Sequence, residues 1–194
     1  QFKGTEDVVV FSTGFMAMLG TVAGLTAQGD VVLSDALNHA SIVDGCRLSR
    51  AEKRIYRHND MASLEEELAK AQDAPGRLIV TDGVFSMRGT VANLPEIQRL
   101  AQKYRATVMV DDAHGTGVLG EHGRGVLEHF GLEGKIELAC GTFSKTFATV
   151  GGFTGASQDV VTFLRHNSRP FIFTASPPPV VVATVLAGIE VIEQ

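Results

Sequence analysis

The chain has 194 residues, of which 44% are hydrophobic and 20% are charged, a composition typical of a soluble globular domain with a sizeable core. Its net charge of -5 comes from charges mixed along the chain, which argues against nucleic-acid binding and a polybasic membrane surface. No apolar run reaches membrane-spanning length, and the two cysteines lack metal-ligand spacing, so we expect one cytoplasmic domain without membrane insertion.

The first half of the chain predicts alternating strands and helices. Residues 8–11 form a buried strand, and residues 15–27 have helical periodicity that ends at Gly29. The turn between them contains Thr13 and Gly14, where unpaired backbone N–H groups can bind a phosphate, although such a turn is more often a simple cap. The elements predicted next are a strand at 31–34, a helix ending near 49, a strand at 53–58, a helix at 61–72, a strand at 78–82, a helix at 94–104 and a strand at 107–110.

The second half of the chain contains a lysine at the end of a predicted strand. Residues 136–140 form an apolar strand, followed by a turn of small and hydroxylic residues that carries Lys145. A lysine desolvated there would have a lowered pKa and could form a Schiff base with an aldehyde, whereas the alternative is an ordinary surface lysine. After it we predict a returning strand at 151–155, a helix at 158–166, a segment at 169–179 kept extended by its prolines, and a last helix.

The alternation predicts an α/β fold with a mostly parallel sheet and helices on both faces. Ligands bind such sheets at the carboxyl ends of the strands. Asp111 and Asp112 follow a buried strand, so at least one of them needs a cationic or hydrogen-bonded partner. The polar residues that follow predicted strands are Thr13, Gly14, His39, Asp82, Asp111, His114 and Lys145.

Three kinds of ligand could occupy this edge. A metal could bind Asp111, Asp112 and His114, with His39 or His122 in support, but a nearby lysine would repel a cation, so we predict no metal site. The first predicted strand is not followed by the Gly-x-Gly-x-x-Gly motif of dinucleotide-binding domains, and the sequence has no P-loop motif. A cofactor with an aldehyde, a ring nitrogen and a phosphate fits the lysine, the aspartate and the helix start, and that cofactor is pyridoxal 5'-phosphate (PLP).

Five motifs together resemble the α-oxoamine synthases, the fold-type-I PLP family that includes glycine acetyltransferase, 8-amino-7-oxononanoate synthase, 5-aminolevulinate synthase and serine palmitoyltransferase. The motifs lie at residues 38–41, 81–87, 110–120, 123–125 and 141–145. The likeness runs over essentially the whole chain. It implies that residues 1–194 are a single cofactor-binding large domain, a fragment without the N-terminal segment and the C-terminal small domain.

The resemblance also implies a role for each residue around the cofactor ring. Lys145 would form the Schiff base and then handle the α-carbon proton of the substrate. Asp111 would pair with the pyridine nitrogen, and His114 would hydrogen-bond to the ring hydroxyl. Ala113 and His39 would pack against opposite faces of the ring.

Further residues are implied around the phosphate and the pocket. Asp82 and Ser86 would line the cofactor pocket, where the family often has glutamate at the Asp82 position. Thr174 and Ser176 would approach the phosphate of a neighbouring subunit, which implies a homodimer with a shared active site. The phosphate would be held by Thr13, Gly14, Phe15 and Thr142.

The implied reaction condenses an amino acid with an acyl-CoA, with decarboxylation, to give an aminoketone. Some motifs resemble glycine acetyltransferase and others serine palmitoyltransferase, so glycine, serine and alanine all remain candidate substrates. Another fold-type-I enzyme such as an aminotransferase, or a non-catalytic scaffold subunit, are the alternatives. We expect the isolated 194-residue piece to bind cofactor weakly and to be inactive.

Overall fold

The computed structural model describes residues 2–194, in which strands and helices alternate. The strands are β1 (Asp7–Phe11), β2 (Val31–Asp35), β3 (Glu52–Tyr56), β4 (Arg77–Asp82), β5 (Val84–Phe85), β6 (Thr90–Val91), β7 (Thr107–Asp111), β8 (Leu138–Thr142) and β9 (Gly152–Ala156). The helices are α1 (Gly14–Leu25), α2 (Ala40–Leu48), α3 (Met61–Lys70), α4 (Leu94–Tyr104), α5 (Val126–His129), α6 (Gln158–Asn167), α7 (Arg169–Ile172) and α8 (Pro179–Ile192).

Seven strands form one sheet in the order β1-β9-β8-β7-β4-β2-β3. The five strands from β8 to β3 are parallel, whereas β9 runs antiparallel to β8 and β1 runs antiparallel to β9. The two short strands β5 and β6 form a separate antiparallel hairpin. The predicted α/β fold with a mostly parallel sheet is therefore confirmed.

Helices cover both faces of the sheet because successive strand residues point to opposite sides. On one face Leu33, Ile79 and Val108 pack into a cluster that includes residues of α3 and α4. Their chain neighbours Val32 and Val80 join a cluster on the other face with residues of α1, α2 and α6. Both faces are apolar, which explains why these strands read as continuous hydrophobic runs in the sequence.

Some predicted elements differ from the structure. The segment after α6 was expected to be extended but begins with the short helix α7, because Pro170 lies in the first turn, where a helix tolerates proline. The strand expected at residues 136–140 is found two residues later, as β8. Strand β1 is an edge strand rather than a fully buried one, with Val10 37% exposed.

The parallel register brings the carboxyl ends of five strands to one edge of the sheet. These ends are Tyr56 on β3, Asp35 on β2, Asp82 on β4, Asp111 on β7 and Thr142 on β8. Within residues 2–194, none of the helices has the length and apolarity that crossing a membrane would require.

Candidate active site

A cavity of about 330 Å³ opens at the carboxyl edge of the sheet. Met18, Ser41, Val84, Ser144 and Val150, which sequence reasoning did not single out, also contribute to its wall. Most of the predicted site residues line it, namely Thr13, Gly14, Phe15, His39, Asp82, Ser86, Asp111, Ala113, His114, Thr142 and Lys145. The structure therefore brings together residues from most of the length of the chain.

A larger cavity of about 450 Å³ lies at the opposite edge of the sheet. Its wall includes the strand starts Arg77 and Thr107 and the acidic residues Asp30 and Glu137. Among the described residues it has neither a lysine nor a histidine in its wall. Of these two cavities, only the smaller one has a lysine, buried acids and two histidines in its wall. The smaller cavity is therefore the candidate active site.

The start of α1 forms an anion seat at one end of the cavity. Thr13 is the N-cap, and its Oγ1 accepts a hydrogen bond from the backbone N–H of Met16 at 3.1 Å. The first backbone bond of the helix runs from Ala17 N–H to the Thr13 carbonyl at 3.1 Å, so the N–H groups of Gly14 and Phe15 precede the helical ladder. Such a helix start suits a phosphate group.

Gly14 is required at this seat because α1 begins close to β8. A Cβ atom on Gly14 would lie 2.7 Å from both Cβ and Oγ1 of Thr142, closer than side chains can pack. Thr142 Oγ1 donates to the Gly151 carbonyl at 3.0 Å and lies 2.9 Å from Ser144 Oγ. The helix start, the end of β8 and the turn that carries the lysine therefore meet at this point.

Asp82 and Asp111 place two buried carboxyl groups at the base of the cavity. They are direct partners in the register of β4 and β7, and each is 6% exposed. Burial, together with the charge of Asp111, raises the pKa of Asp82 to about 8. Burial also raises the pKa of Asp111 to about 7, with a smaller contribution from Asp112, while the Ala113 N–H bond and the Lys145 charge oppose the rise.

These carboxyl groups have few hydrogen-bond donors around them. Asp111 Oδ1 accepts from the N–H of Ala113 at 3.1 Å, and Asp82 Oδ1 accepts from the N–H of His39 at 3.3 Å. A bound cation, such as a protonated ring nitrogen, would favour the charged form of Asp111. The donor set of the cavity therefore fits a ligand with a basic ring nitrogen.

Asp112 has a different role from its neighbour Asp111. Its Oδ2 pairs with Lys3 Nζ at 2.7 Å in a buried ion pair and accepts from Thr116 Oγ1 at 3.2 Å and from Val126 N–H at 3.2 Å. Of the two adjacent acids, one faces the cavity and the other anchors the N-terminal segment. The partner Lys3 lies 109 residues away, and no sequence spacing indicates it.

His39 and His114 are both in the wall of the cavity. Partial burial and the charge of Lys145 lower the pKa of His39. Burial, the charge of Lys145 and the proximity of His39 lower the pKa of His114. Both shifts of pKa favour the neutral imidazole, the form that an unperturbed histidine with a pKa of about 6.5 already prefers at pH 7. His39 is the N-cap of α2, with its Nδ1 2.7 Å from Ser41 Oγ.

Lys145 lies in the turn after β8. The expectation of a desolvated lysine is wrong, because its side chain is exposed within the open cavity. The turn is held on both sides of the lysine by Ser144 N–H, which donates to Thr142 Oγ1 at 3.2 Å, and by Thr146 Oγ1, which donates to the Thr116 carbonyl at 2.8 Å. The primary amine is thus accessible while its backbone is fixed.

Thr174 and Ser176 do not line the cavity of their own chain. Their segment lies near the start of α1, where the Ser12 hydroxyl donates to the Ala175 carbonyl. Within residues 2–194 there is also no group of three histidine, cysteine, aspartate or glutamate side chains placed to hold a metal ion.

The chain is similar to proteins of known families over its whole length. A sequence model of the aminotransferase class I and II family matches residues 1–194. The 8-amino-7-oxononanoate synthase of Exiguobacterium sibiricum is 53% identical over 193 residues, which are 100% of this chain and 50% of that protein. The serine palmitoyltransferase of Bacteroides ovatus is 49% identical over 192 residues, which are 99% of this chain and 49% of that protein.

Solved structures also superpose closely on this fold. A serine palmitoyltransferase from S. paucimobilis with a bound PLP–myriocin aldimine superposes with a TM-score of 0.96 at 44% identity, covering 100% of this chain and 48% of that one. An 8-amino-7-oxononanoate synthase from Francisella tularensis superposes with a TM-score of 0.86 at 30% identity. The chain spans about half the length of the relatives it matches.

Proposed function

The chain belongs to the aminotransferase class I and II family, and we propose that it is the PLP-binding large domain of an α-oxoamine synthase. The enzyme condenses an amino acid, either glycine, serine or alanine, with an acyl-CoA. Coenzyme A and carbon dioxide leave, and an aminoketone is formed. The names of the relatives, 8-amino-7-oxononanoate synthase and serine palmitoyltransferase, support this reaction class, and their length supports a large domain as the unit.

One observation carries the proposal. Lys145, in the turn after β8, lines the same cavity as Asp111 and His114, at and just after the end of β7, and this cavity ends at the start of α1. An accessible primary amine, a buried acid and a phosphate seat are the three groups that PLP requires. The cavity provides them at the carboxyl edge of a parallel sheet, where such folds bind ligands.

When bound, PLP supplies an aldehyde that condenses with primary amines and a ring that accepts electrons from a bond broken at the α-carbon. Lys145 Nζ would hold the cofactor through that aldehyde and would move the proton at the α-carbon of the substrate. The carboxylate of Asp111 holds the proton on the ring nitrogen. The buried position of Asp111 strengthens this interaction, because water does not compete for the carboxylate.

The remaining wall residues bind and orient. His114 in its neutral form would donate a ring N–H to the hydroxyl oxygen of the cofactor, and His39 and Ala113 would pack against the cofactor ring. Asp82 and Ser86 line the pocket beside the ring. The phosphate is bound by Thr13, Gly14, Phe15 and Thr142.

The assembly and its location form part of the same proposal. Thr174 and Ser176 do not line the cavity of their own chain, and on the resemblance to the α-oxoamine synthases we assign them to the active site of a second subunit. The enzyme is therefore a homodimer with shared active sites. We place it in the cytoplasm, where both cysteines, buried and unbridged in this structure, would remain reduced.

The test uses the full-length protein with added PLP. Glycine, serine and alanine are each paired with a panel of acyl-CoA thioesters, and release of free coenzyme A and of carbon dioxide is measured. Release of both in one pairing, abolished by Lys145→Ala, supports the proposal. Amino-group transfer to an oxo acid without thioester consumption would identify an aminotransferase instead. A dimer that shows no turnover with any pairing would identify a scaffold subunit.

A further inference from the structure

The hairpin β5–β6 forms part of the cavity wall, although it lies outside the main sheet. Val84 on its first arm and Ser86 at the start of its turn both line the cavity. Each arm has only two paired residues, with Val84 opposite Val91 and Phe85 opposite Thr90. A two-stranded hairpin of this length is not stable alone, so its position depends on what it contacts.

A three-residue hydrogen-bonded chain connects this hairpin to the main sheet. Asp35, at the end of β2, is 3% exposed, and its Oδ1 lies 3.0 Å from His58 Nδ1. The other ring nitrogen, His58 Nε2, lies 3.0 Å from Thr90 Oγ1 on the hairpin. Because a carboxylate only accepts, Nδ1 carries the proton towards Asp35, and in the neutral ring Nε2 accepts from the Thr90 hydroxyl.

The carboxylate that orients His58 is itself fixed. Asp35 Oδ1 also accepts from the N–H of Leu37 at 2.8 Å, and Asp35 Oδ2 accepts from the N–H of Asn59 at 2.8 Å. The imidazole ring of His58 further packs edge-on against Phe85 at 4.4 Å between ring centroids. The ring is therefore held by a buried acid on one side and contacts both arms of the hairpin on the other.

Asn59 adds a second connection next to the first. Its Nδ2 donates to the Val91 carbonyl at 3.1 Å, and its Oδ1 accepts from the N–H of Asn93 at 2.9 Å. The turn between β3 and α3 thus contacts the second arm of the hairpin through the side chains of His58 and Asn59, which are adjacent in the sequence. The first arm has anchors of its own, because Phe85 is buried in the core and the N–H of Gly83, just before it, donates to the Asp111 carbonyl at 2.8 Å.

We propose that His58 is a positioning residue, which holds the hairpin β5–β6 through Thr90 and thereby fixes Val84 and Ser86 at the wall of the active site. The consequence for ligand binding rests on the function proposed above, whereas the effect on the hairpin does not. His58 itself is absent from the cavity wall, so any effect of its substitution on ligand affinity passes through the hairpin.

The first experiment measures hydrogen exchange in the full-length protein without added cofactor. Thr90→Val and His58→Asn both remove the bond between His58 and Thr90, and Asn at position 58 can still reach Asp35. Thr162→Val, at an exposed threonine of α6, is the matched control. We expect the amides of residues 83–92 to exchange about fivefold faster in Thr90→Val, as for the loss of one ordinary hydrogen bond, and at least as fast in His58→Asn, which also loses the ring contact with Phe85.

The double variant His58→Asn/Thr90→Val gives the sharper result. Because both substitutions break the same bond, and only His58→Asn also removes the ring contact with Phe85, the double variant should exchange no faster than His58→Asn alone. If the hairpin amides of both single variants exchange at the same rate as those of the control Thr162→Val, the proposal is overturned. Additive effects would also overturn it, since the two residues would then act separately.

The second experiment measures what the hairpin does for the site. In the full-length protein we expect Thr90→Val to weaken PLP binding and raise the KM for the amino acid about threefold to tenfold, with kcat nearly unchanged, because the chemistry of Lys145 is intact. Faster hairpin exchange with unchanged affinity and KM would overturn the positioning role. Failure of the wild type to bind PLP at all would instead refute the proposed function, while the exchange result would stand.

Discussion

Asp82 and Asp111 lie side by side at the carboxyl ends of β4 and β7, as direct partners in the parallel register. Both are buried, and the pKa of each carboxyl group is raised well above the value of about 3.9 for a free aspartate. Two adjacent buried carboxyl groups without a cation between them favour holding protons near neutral pH. This pair is suited to receive a positively charged ring, and it makes the cofactor-free fold sensitive to pH.

The first prediction concerns that sensitivity. The folded-state pKa is about 7 for Asp111 and about 8 for Asp82. Between about pH 4 and these values the folded chain keeps protons that the unfolded chain has released, so their contribution to stability falls as the pH rises. Each group that is protonated only in the folded state lowers the free energy of unfolding by about 1.4 kcal/mol for each unit by which the pH rises. Urea unfolding of the cofactor-free protein should therefore show lower stability at about pH 8 than at about pH 5.

Asp82→Asn is the matched variant for this measurement. It removes one titrating group and the like charge beside Asp111, so the decline in stability with pH should become markedly shallower. Saturating PLP should also flatten the wild-type profile, because a protonated ring nitrogen favours the carboxylate form of Asp111. Identical profiles for the wild type and Asp82→Asn would contradict the coupling of the two carboxyl groups.

A second prediction addresses the phosphate seat. Thr13→Ala removes the cap bond to Met16 N–H and should lower the free energy of unfolding by about 1 kcal/mol. It should also weaken PLP binding more than the binding of pyridoxal, which lacks the phosphate. Thr13→Ser keeps the hydroxyl and serves as the control, with stability and affinity close to wild type. Equal losses of affinity for the two ligands would place the phosphate elsewhere.

The buried ion pair between Lys3 and Asp112 gives a third prediction. Lys3→Met leaves the Asp112 carboxylate buried without its cation and should destabilise the fold by about 3–5 kcal/mol in urea unfolding. The exposed pair of Arg47 and Asp44 is the control, and Arg47→Met should change the free energy of unfolding by less than about 1 kcal/mol. Similar effects of the two substitutions would show that the Lys3 pair has no special structural role.

Much of the fold could be predicted because its signals are local. The apolar strands and the helix at residues 94–104 are marked by periodicity and caps, and helix α4 has the predicted bounds. The α-oxoamine synthase resemblance is confirmed by the relatives, and the convergence of the strand ends follows from parallel topology. The helix α7 was missed because Pro170 was interpreted as a breaker, although a first-turn proline is compatible with a helix.

Long-range pairings were beyond the reach of sequence patterns. The partner of Asp112 is Lys3 and the partner of His58 is Asp35, and no periodic pattern connects residues so far apart. The exposure of Lys145 was also mispredicted, because the apolar strand before it says nothing about the open cavity into which its turn projects. Such features depend on how the elements pack, which only the structure provides.

The most direct test of the account is chemical identification of the lysine that binds PLP. The full-length protein is incubated with PLP, reduced with borohydride and digested, and the peptides are analysed by mass spectrometry. Lys145→Arg, which keeps the positive charge but lacks a primary amine, is the control. The account predicts that the reduced pyridoxyl phosphate group is found on Lys145 and that Lys145→Arg carries no label. Stoichiometric labelling of another lysine, or equal labelling of the wild type and Lys145→Arg, would contradict it.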